Sequence, residues 1–580
     1  MVNNQFFIEL QKLRESSQNA VAQGNSYNLD KFQEYLHITR EVERDLSEQV
    51  KKCSSLPHSN LILVCGNVGD GKSHVLSYLN RTLKEELSHF TIHNDATESH
   101  NPQETSNDTL HRVLEGFRDV NIEKATDKLL LAINLGTLSK FLEEYKDEYK
   151  KLSDYVKQQK ILDTDLAYSG EFDLGSNFHH VNFTDYHMYS LTSDGPKSLI
   201  ISTLLDRIVS NSKGNPFFVA YQNYIQNYEF SDLCPIKYNY EFLMKKENRD
   251  VLVNLIIQAI VKNKVIVSVR SLLNFFFDLI VPINLTWERM DIYTQEIKKL
   301  KEADYLSFLI PNYLFEHPEL SSLFNKISEL DPCMHRYADL DSNLILLINS
   351  ENPKQIFSNF ISKDVIEGLM PRLVKDKLNR KELTKLFIRL NFFENQEKNL
   401  HLNNLDFKNY MKLLYHFNNN KMSAIKEMYN LVEDSARKWN GDPKKKKKIV
   451  INLGRNQLKY RVFKDFKTVP KYELTAEKND KVIIKFVQEF SLSFKIDNQN
   501  ELQKIHIDFR LFEILNRILK GYRPNRKDNN NYISFVSLIN KFISEDSNTA
   551  SLEIDKINIG NSSDYELSLG NFGEYKFQTI

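Results

Sequence analysis

The feature that most constrains this chain is a junction. A five-residue apolar run, Leu61 to Cys65, leads directly into Gly66-Asn67-Val68-Gly69-Asp70-Gly71-Lys72-Ser73. His74 follows, and then Val75, Leu76, Leu79 and Leu83 recur at helical spacing. A run that is short, apolar throughout and closed by glycine reads as a strand buried on both faces. The spacing after the loop predicts a helix over 72–86. The eight residues between match G-x-x-x-x-G-K-[ST] in full. Three of the chain's 17 glycines fall within six positions here, so composition alone does not produce the cluster.

Each residue of the loop has a chemical reason. Gly66 ends the strand where the chain must turn. Gly69 and Gly71 permit backbone angles barred to other residues and let the main chain approach a phosphate closely. The loop N–H groups then converge at a helix N-terminus as an anion nest. Lys72 reaches the β- and γ-phosphates as a point charge and steadies the group in transfer. Ser73 offers its hydroxyl to Mg²⁺. Gly66 through Ser73, with His74 behind them, are therefore the expected ATP-binding residues. The plain alternative is a strand-to-helix turn without nucleotide, but Lys-Ser after the last glycine serves no packing need.

Hydrolysis needs more than a loop. A carboxylate at a strand tip normally holds the Mg²⁺ shell and polarises water. The usual pattern, four apolar residues followed by Asp-Glu, is absent. A short strand is expected at Phe90–His93, and Asp95 and Glu98 follow it, so they are the candidates for the metal and water carboxylates. The alternative for Asp95 is a helix cap or turn. A third strand is expected at 128–134 (KLLLAIN), then a turn at Leu135-Gly136, then a helix in SKFLEEYKDEYKKL. Asn134 ends that strand. Its amide could orient water or sense the γ-phosphate, as the first sensor residue of the AAA+ class does, or it could simply cap the strand end. Arg270 is a second sensor candidate. Ser268 would cap the helix of SVRSLLNFFFDLIVP and Arg270 would sit in its first turn, where the dipole disfavours a cation. A solvent-exposed arginine with an apolar stem is the alternative. His179, His180 and His187 lack acidic or cysteine partners at ligand spacing, so a metal role is not expected.

Strands alternating with helices predict an α/β fold, with a parallel sheet at its core. The texture changes along the chain. Residues 1–57 carry helical periodicity, with Phe6, Phe7, Leu10 and Leu13 on one face. The expected organisation is an N-terminal helical segment (1–57), a P-loop ATPase domain of AAA+-like type with a helical lid (58–285), a helical domain (286–440) and a mixed α+β domain (441–580). No apolar stretch reaches the ~18 residues of a membrane span. The N-terminus lacks the basic-then-apolar pattern of a signal peptide. Four scattered cysteines provide no disulfide framework. The expectation is a cytoplasmic protein with no membrane partner.

The chain is neutral overall, with 77 basic and 77 acidic residues. Any nucleic-acid surface must therefore come from local asymmetry. Residues 437–471 hold 13 Lys and Arg against two acids, a net +11. They include Lys444, Lys445, Lys446, Lys447, Lys448, Arg455, Lys459 and Arg461, with Trp439, Tyr460, Phe463 and Phe466 interleaved. Cations release phosphate counterions and exposed aromatics stack on bases, so DNA contact is expected here. The alternative is a solvated lysine loop. The stretch 545–580 is mildly acidic, including Glu553 and Asp555, and could face a basic partner.

LILVCGNVGDGKSH, NDATESHNPQET, LLLAINLGTLSKFLEE, NPFFVAY and SVRSLLNFFFDLIVP together resemble the DptF family, the F component of the bacterial DNA phosphorothioation-dependent restriction system. The resemblance spans roughly residues 55–285. It implies a nucleotide-binding subunit that works with G and H components against DNA lacking the sulfur-modified backbone. Gly66, Gly71, Lys72 and Ser73 match the family's loop residue by residue. No nuclease pattern is present, which implies that strand cleavage belongs to a partner. Two other readings stay open. One is a generic AAA+-like remodelling ATPase acting on protein. The other is a scaffold that binds ATP and hydrolyses little, which the missing Asp-Glu pair favours.

Overall fold

The apolar run does form a strand, and it is the centre of a sheet. The computed structural model describes residues 3–22, 31–67, 70–94, 105–162, 172–334, 338–350, 380–394, 404–445, 447–451, 459–472, 476–495, 502–544, 551–556, 565–570 and 574–579. Val68, Gly69, Asp95, Glu98, Lys446 and Arg455 lie outside the described residues. The chain divides into two units. The first comprises Met1–Ser190, Pro196–Asn403 and Ile484–Phe486; the second comprises Leu191–Gly195, Asn404–Ile483 and Val487–Ile580.

In the first unit, β1 (Asn60–Cys65) lies between β3 (Lys128–Ile133) and β4 (Phe178–Asn182), and β2 (Thr91–His93) lies outside β3. All pairings are parallel, and Cys65 stands opposite both Ile133 and Asn182. Strand alternation sends Leu61, Leu63 and Cys65 to one face, against Leu110, Leu138, Phe141 and Leu152. These come from α6 (Ser106–Val113), α7 (Leu135–Glu144) and α8 (Lys150–Gln158). Ile62 and Val64 face Val42, Leu46 and Val50 of α3 (Glu41–Ser54) and Val75, Leu76 and Leu79 of α4 (Lys72–Thr82). Helices on both faces explain why β1 has no polar alternation. Each fully buried Leu or Ile contributes about 1.5–3 kcal/mol. Truncating Leu63 to Ala, at a site with no exposure, would cost roughly 2–5 kcal/mol through the cavity left behind.

Local chemistry sets the boundaries. The helix expected over 72–86 breaks at Leu83 (φ −122°, ψ 46°) and resumes as a short turn, Lys84–Leu87. Leu135-Gly136 is not a turn. The Asn134 side-chain oxygen accepts the Thr137 N–H at 2.7 Å, so both residues enter the first turn of α7. The helix expected from 139 onward is interrupted between α7 and α8. The N-terminal residues are built into this unit. α3 covers the sheet, and Phe6 of Gln5–Ala22 packs among Tyr221, Tyr224 and Tyr240 at 5.2–5.7 Å.

Beyond β4 the first unit is helical, as its periodicity predicts. Helix Val269–Ile280 is capped by Ser268, whose hydroxyl accepts the Ser271 N–H. Buried Arg389 ties helix Arg380–Glu394 to Asp331 through Nε and Nη2, at 3.1 and 2.7 Å.

The second unit is α+β. Helices Leu405–Asn418, Met422–Lys438, Phe509–Leu519 and Ile533–Ser544 accompany two larger antiparallel sheets and a short antiparallel pairing of Val482–Ile483 with Leu191–Thr192. One has the order Leu502–Ile507, Phe490–Lys495, Val469–Lys471. The other has the order Tyr575–Thr579, Tyr565–Leu569, Leu552–Lys556, Tyr460–Asp465, Lys448–Val450. Among the described residues no helix is long and apolar enough to cross a membrane.

Candidate phosphate-binding site

The loop leaves β1 at Gly66, in the middle of the sheet and at its carboxyl edge. A Cβ at Gly66 would lie 2.9 Å from both Asp70 Oδ2 and Phe183 Cβ, so only glycine fits. Gly71 has φ +86°, in the left-handed region that favours glycine, and begins α4. Its backbone oxygen accepts the Val75 N–H at 3.0 Å. Lys72 folds back over the loop and donates to the carbonyl oxygens of Gly66 (3.0 Å) and Asn67 (2.7 Å). The Asn67 N–H donates to Asp70 Oδ2 at 2.6 Å. Ser73 is exposed in the first turn of α4. The first N–H groups of this helix have no partner one turn back within it, which leaves donors for an anion.

A residue that the sequence reasoning missed completes the wall. Arg40 precedes α3, and its guanidinium lies 5.1 Å from the centroid of the Phe183 ring. Its Nη2 stands 3.1 Å from where a Cβ on Gly71 would be. Burial pushes the Arg40 pKa down, and Glu43 and Asp70 oppose that shift. Burial pushes the Asp70 carboxyl up, against the Asn67 N–H, Lys72 and Arg40. His74 shares a 2.9 Å hydrogen bond with His37, whose ring stacks on Tyr78 at 3.8 Å. Burial, with His37 and Arg40 nearby, lowers the His74 pKa to about 4. Before the loop, His37 and Arg40 carry no motif, and only the fold brings them to it.

The other expected residues are placed as follows. Asn134 follows Ile133, the register partner of Cys65, so it flanks Gly66 across the sheet. Its carbonyl oxygen caps α7, accepting from both the N–H and the hydroxyl of Thr137. Its amide nitrogen has no partner among the described residues. Asp95 and Glu98 fall outside those residues, just past β2. Arg270 sits in the first turn of its helix as expected. That helix packs against Gln5–Ala22, Pro235–Met244 and Ile310–Glu316. A second carboxylate was missed: Asp185, three residues beyond the end of β4. Burial pushes its pKa up to about 6, with Lys485 opposing. Reading FHHVN as a strand, rather than as a histidine cluster, would have pointed to it.

The histidines have separate partners. His179 lies 3.2 Å from Asn60 Oδ1 and stacks on Phe172, and His180 lies 2.9 Å from the Tyr155 hydroxyl. Burial lowers both pKa values to about 4. Among the described residues no group of three or more His, Cys, Asp or Glu is placed to hold a metal ion.

The lysine-rich region, in the second unit, departs from expectation. Trp439, Phe463 and Phe466 are core residues, 2–4% exposed, and cannot stack on bases. The strand Tyr460–Asp465 turns Phe463 inward, and Trp439 donates its Nε1–H to Asn529. Tyr460 alone of the four is exposed. Lys445 bonds to Glu553 (3.2 Å) and Asp555 (2.8 Å), and Lys448 to Asp465 (2.9 Å) and Glu553 (2.7 Å). Burial works against the Lys448 charge, but hydrogen bonds to Glu553 and Asp465 outweigh it and raise its pKa. Glu553 and Asp555 therefore face this chain's own lysines rather than a basic partner. Lys444, Lys447 and Lys459 are exposed, while Arg461 is half-buried opposite Asp555.

Comparisons with family models, with curated proteins and with solved structures find no match to this chain.

Proposed function

We propose that the first unit binds ATP–Mg²⁺ at Gly66–Ser73 and hydrolyses it. The observation that carries this reading is Lys72. Its ammonium lies on two loop carbonyls beside a left-handed glycine that opens a helix, at the carboxyl edge of a central parallel strand. Ligands of open α/β sheets bind at that edge. Such a lysine can swing from carbonyl oxygens to phosphate oxygens without unfolding anything. Mg²⁺, when bound, would neutralise charge on the β- and γ-phosphates, taking most of its ligands from phosphate and water and one from Ser73. Asn134 is positioned beside Gly66 to orient water through its amide. Asp95 and Glu98 follow the strand next to that of Asn134 and are the proposed metal and water carboxylates.

The cellular role we propose comes from the resemblance described above. In it the chain is the ATPase subunit of a bacterial phosphorothioation-dependent restriction complex, acting on unmodified DNA with G and H components. ATP turnover by the purified chain tests both levels. Stimulation by plain DNA but not by phosphorothioated DNA, in the presence of the partners, is the expected result. No turnover under any condition would favour the ATP-binding scaffold instead. One observation supports that second reading: the Asn134 side-chain oxygen is already taken by the cap of α7.

A further inference from the structure

Beside the loop's own Lys72 and Asp70 stands a second cation, Arg40, from the residue before α3. The Arg40 guanidinium carries five donors, yet among the described residues no acceptor takes any of them. It lies over Phe183 and against Gly71, and the nearby acids, Glu43 and Asp70, act on it only through their fields. The guanidinium is partly exposed, so an incoming anion can reach donors that no protein acceptor holds. The Asp70 carboxylate meanwhile takes the Asn67 N–H at 2.6 Å, a bond that an anion in the nest would otherwise receive. Asp70 also feels both Lys72 and Arg40.

We infer that Arg40 is a second phosphate-binding cation of this site, supplied by the N-terminal segment, and that Asp70 is the internal anion which the nucleotide's phosphates displace. The inference rests on the nucleotide reading of the loop. A triphosphate brings more charge and more oxygens than one carboxylate. It offers the planar guanidinium fork the paired acceptors that a single backbone carbonyl cannot. Gly71 is then required twice, for its left-handed backbone and for the space in which Arg40 meets the ligand. Because Arg40 directly precedes α3, occupancy of the loop is tied to the helix that covers the sheet.

Calorimetric titration of the full chain with ATP, ADP and AMP in Mg²⁺ tests this. Arg40→Gln should weaken ATP about 10- to 100-fold, the worth of one or two charge-assisted hydrogen bonds, and leave AMP nearly unchanged. Arg40→Lys should recover only part of the loss, since an ammonium lacks the fork. Asp70→Asn should tighten ATP severalfold. The ligand-free melting temperature of Arg40→Gln should match or exceed that of the wild type. Wild-type ATP affinity in Arg40→Gln, together with lost binding in Lys72→Ala, overturns the role of Arg40 and leaves the nucleotide reading standing. Equal loss of ATP and AMP with a lowered melt marks Arg40 as structural and also overturns it. Weaker ATP binding in Asp70→Asn overturns the displacement. Unchanged ATP affinity in Lys72→Ala overturns the nucleotide reading itself.

Discussion

Two regions of this chain carry lysines that the sequence marks as anion-binding, and the fold treats them in opposite ways. Lys72 rests on neutral carbonyl oxygens, which the proposed nucleotide would replace. Lys445 and Lys448 are held by three carboxylates, Glu553, Asp555 and Asp465. The difference lies in where the partners come from. Most of what shapes the loop around Lys72 sits within eight consecutive residues, with Phe183 and Arg40 closing on it from outside, so the motif carries much of its own geometry. The partners of Lys445 and Lys448 include a strand about a hundred residues further on, which antiparallel pairing brings alongside. A net charge counted along a window is therefore a weaker statement than a spacing. The count omits the acids that folding will add.

The strongest way to test the contrast is Lys72→Ala. Losing a cation shared by two phosphates should weaken ATP by about 10²- to 10⁴-fold. The melting temperature should hold, since the lysine contributes charge and no packing. Calorimetry paired with a thermal melt checks both; unchanged affinity would mean that the loop is only a turn. Next in size is the double change Asp95→Ala with Glu98→Ala. Binding should persist while turnover falls about 100-fold or more. Normal turnover would shift attention to Asp185, the carboxylate beside the central strand that sequence reasoning passed over.

The parts legible in advance were those fixed by short-range rules. The apolar run 61–65, the face of Val75, Leu76 and Leu79, and the Ser268 cap all appear as the periodicity and capping rules require. The parts that failed depended on tertiary context. Leu135-Gly136 carries a turn signature, but Asn134 captures Thr137 and starts a helix. Phe463 and Phe466 stand among lysines in the manner of a nucleic-acid surface, yet both are buried, and Lys464 between them is buried too, donating to the Ile543 backbone oxygen. Arg40 has no motif at all. Its relation to Gly71 exists only because α3 packs on the sheet face shared with α4.

Acid separates the two regions further. The His74 pKa is lowered to about 4 from an ordinary 6.5. The unfolded chain therefore takes up that proton first as the pH falls. Stability contributed by neutral His74 is full above about pH 6.5 and is lost progressively toward pH 4. The Lys448 pKa is raised above its ordinary 10.5. Its contribution is full below that value and is lost only at alkaline pH, so mild acid leaves it intact. Hydrogen exchange at pH 7 and pH 5, corrected for intrinsic rates, should show protection of α4 falling about three- to tenfold. Protection of Lys448–Val450 should stay level. His74→Asn should remove the difference. Greater loss in the lysine strand would reverse the comparison.

The smallest expected effect concerns DNA, and it tests the lysine region on its own terms. If the exposed lysines contact phosphates, then Lys444→Ser with Lys447→Ser should reduce the slope of log K against log salt by ~0.9 per lost contact, about 1.8 in all. Lys445→Ser with Lys448→Ser should leave the slope nearly unchanged, because those charges are already neutralised by Glu553, Asp555 and Asp465. It should instead lower the melting temperature of the second unit, since it strands carboxylates that are now paired. The converse change is the sharper one. Glu553→Gln with Asp555→Asn removes both carboxylates that hold Lys445 and leaves Lys448 with Asp465. DNA affinity should rise a fewfold at low salt, equally for every sequence, because phosphate contacts carry no base information. Filter binding across a salt series reads all three pairs. Equal slopes in the three would remove this face from DNA contact and leave its lysines as the ion-pairing edge of a sheet. A slope that falls with Lys445 and Lys448 instead would mean that the pairs open on DNA, and the contrast with Lys72 would disappear.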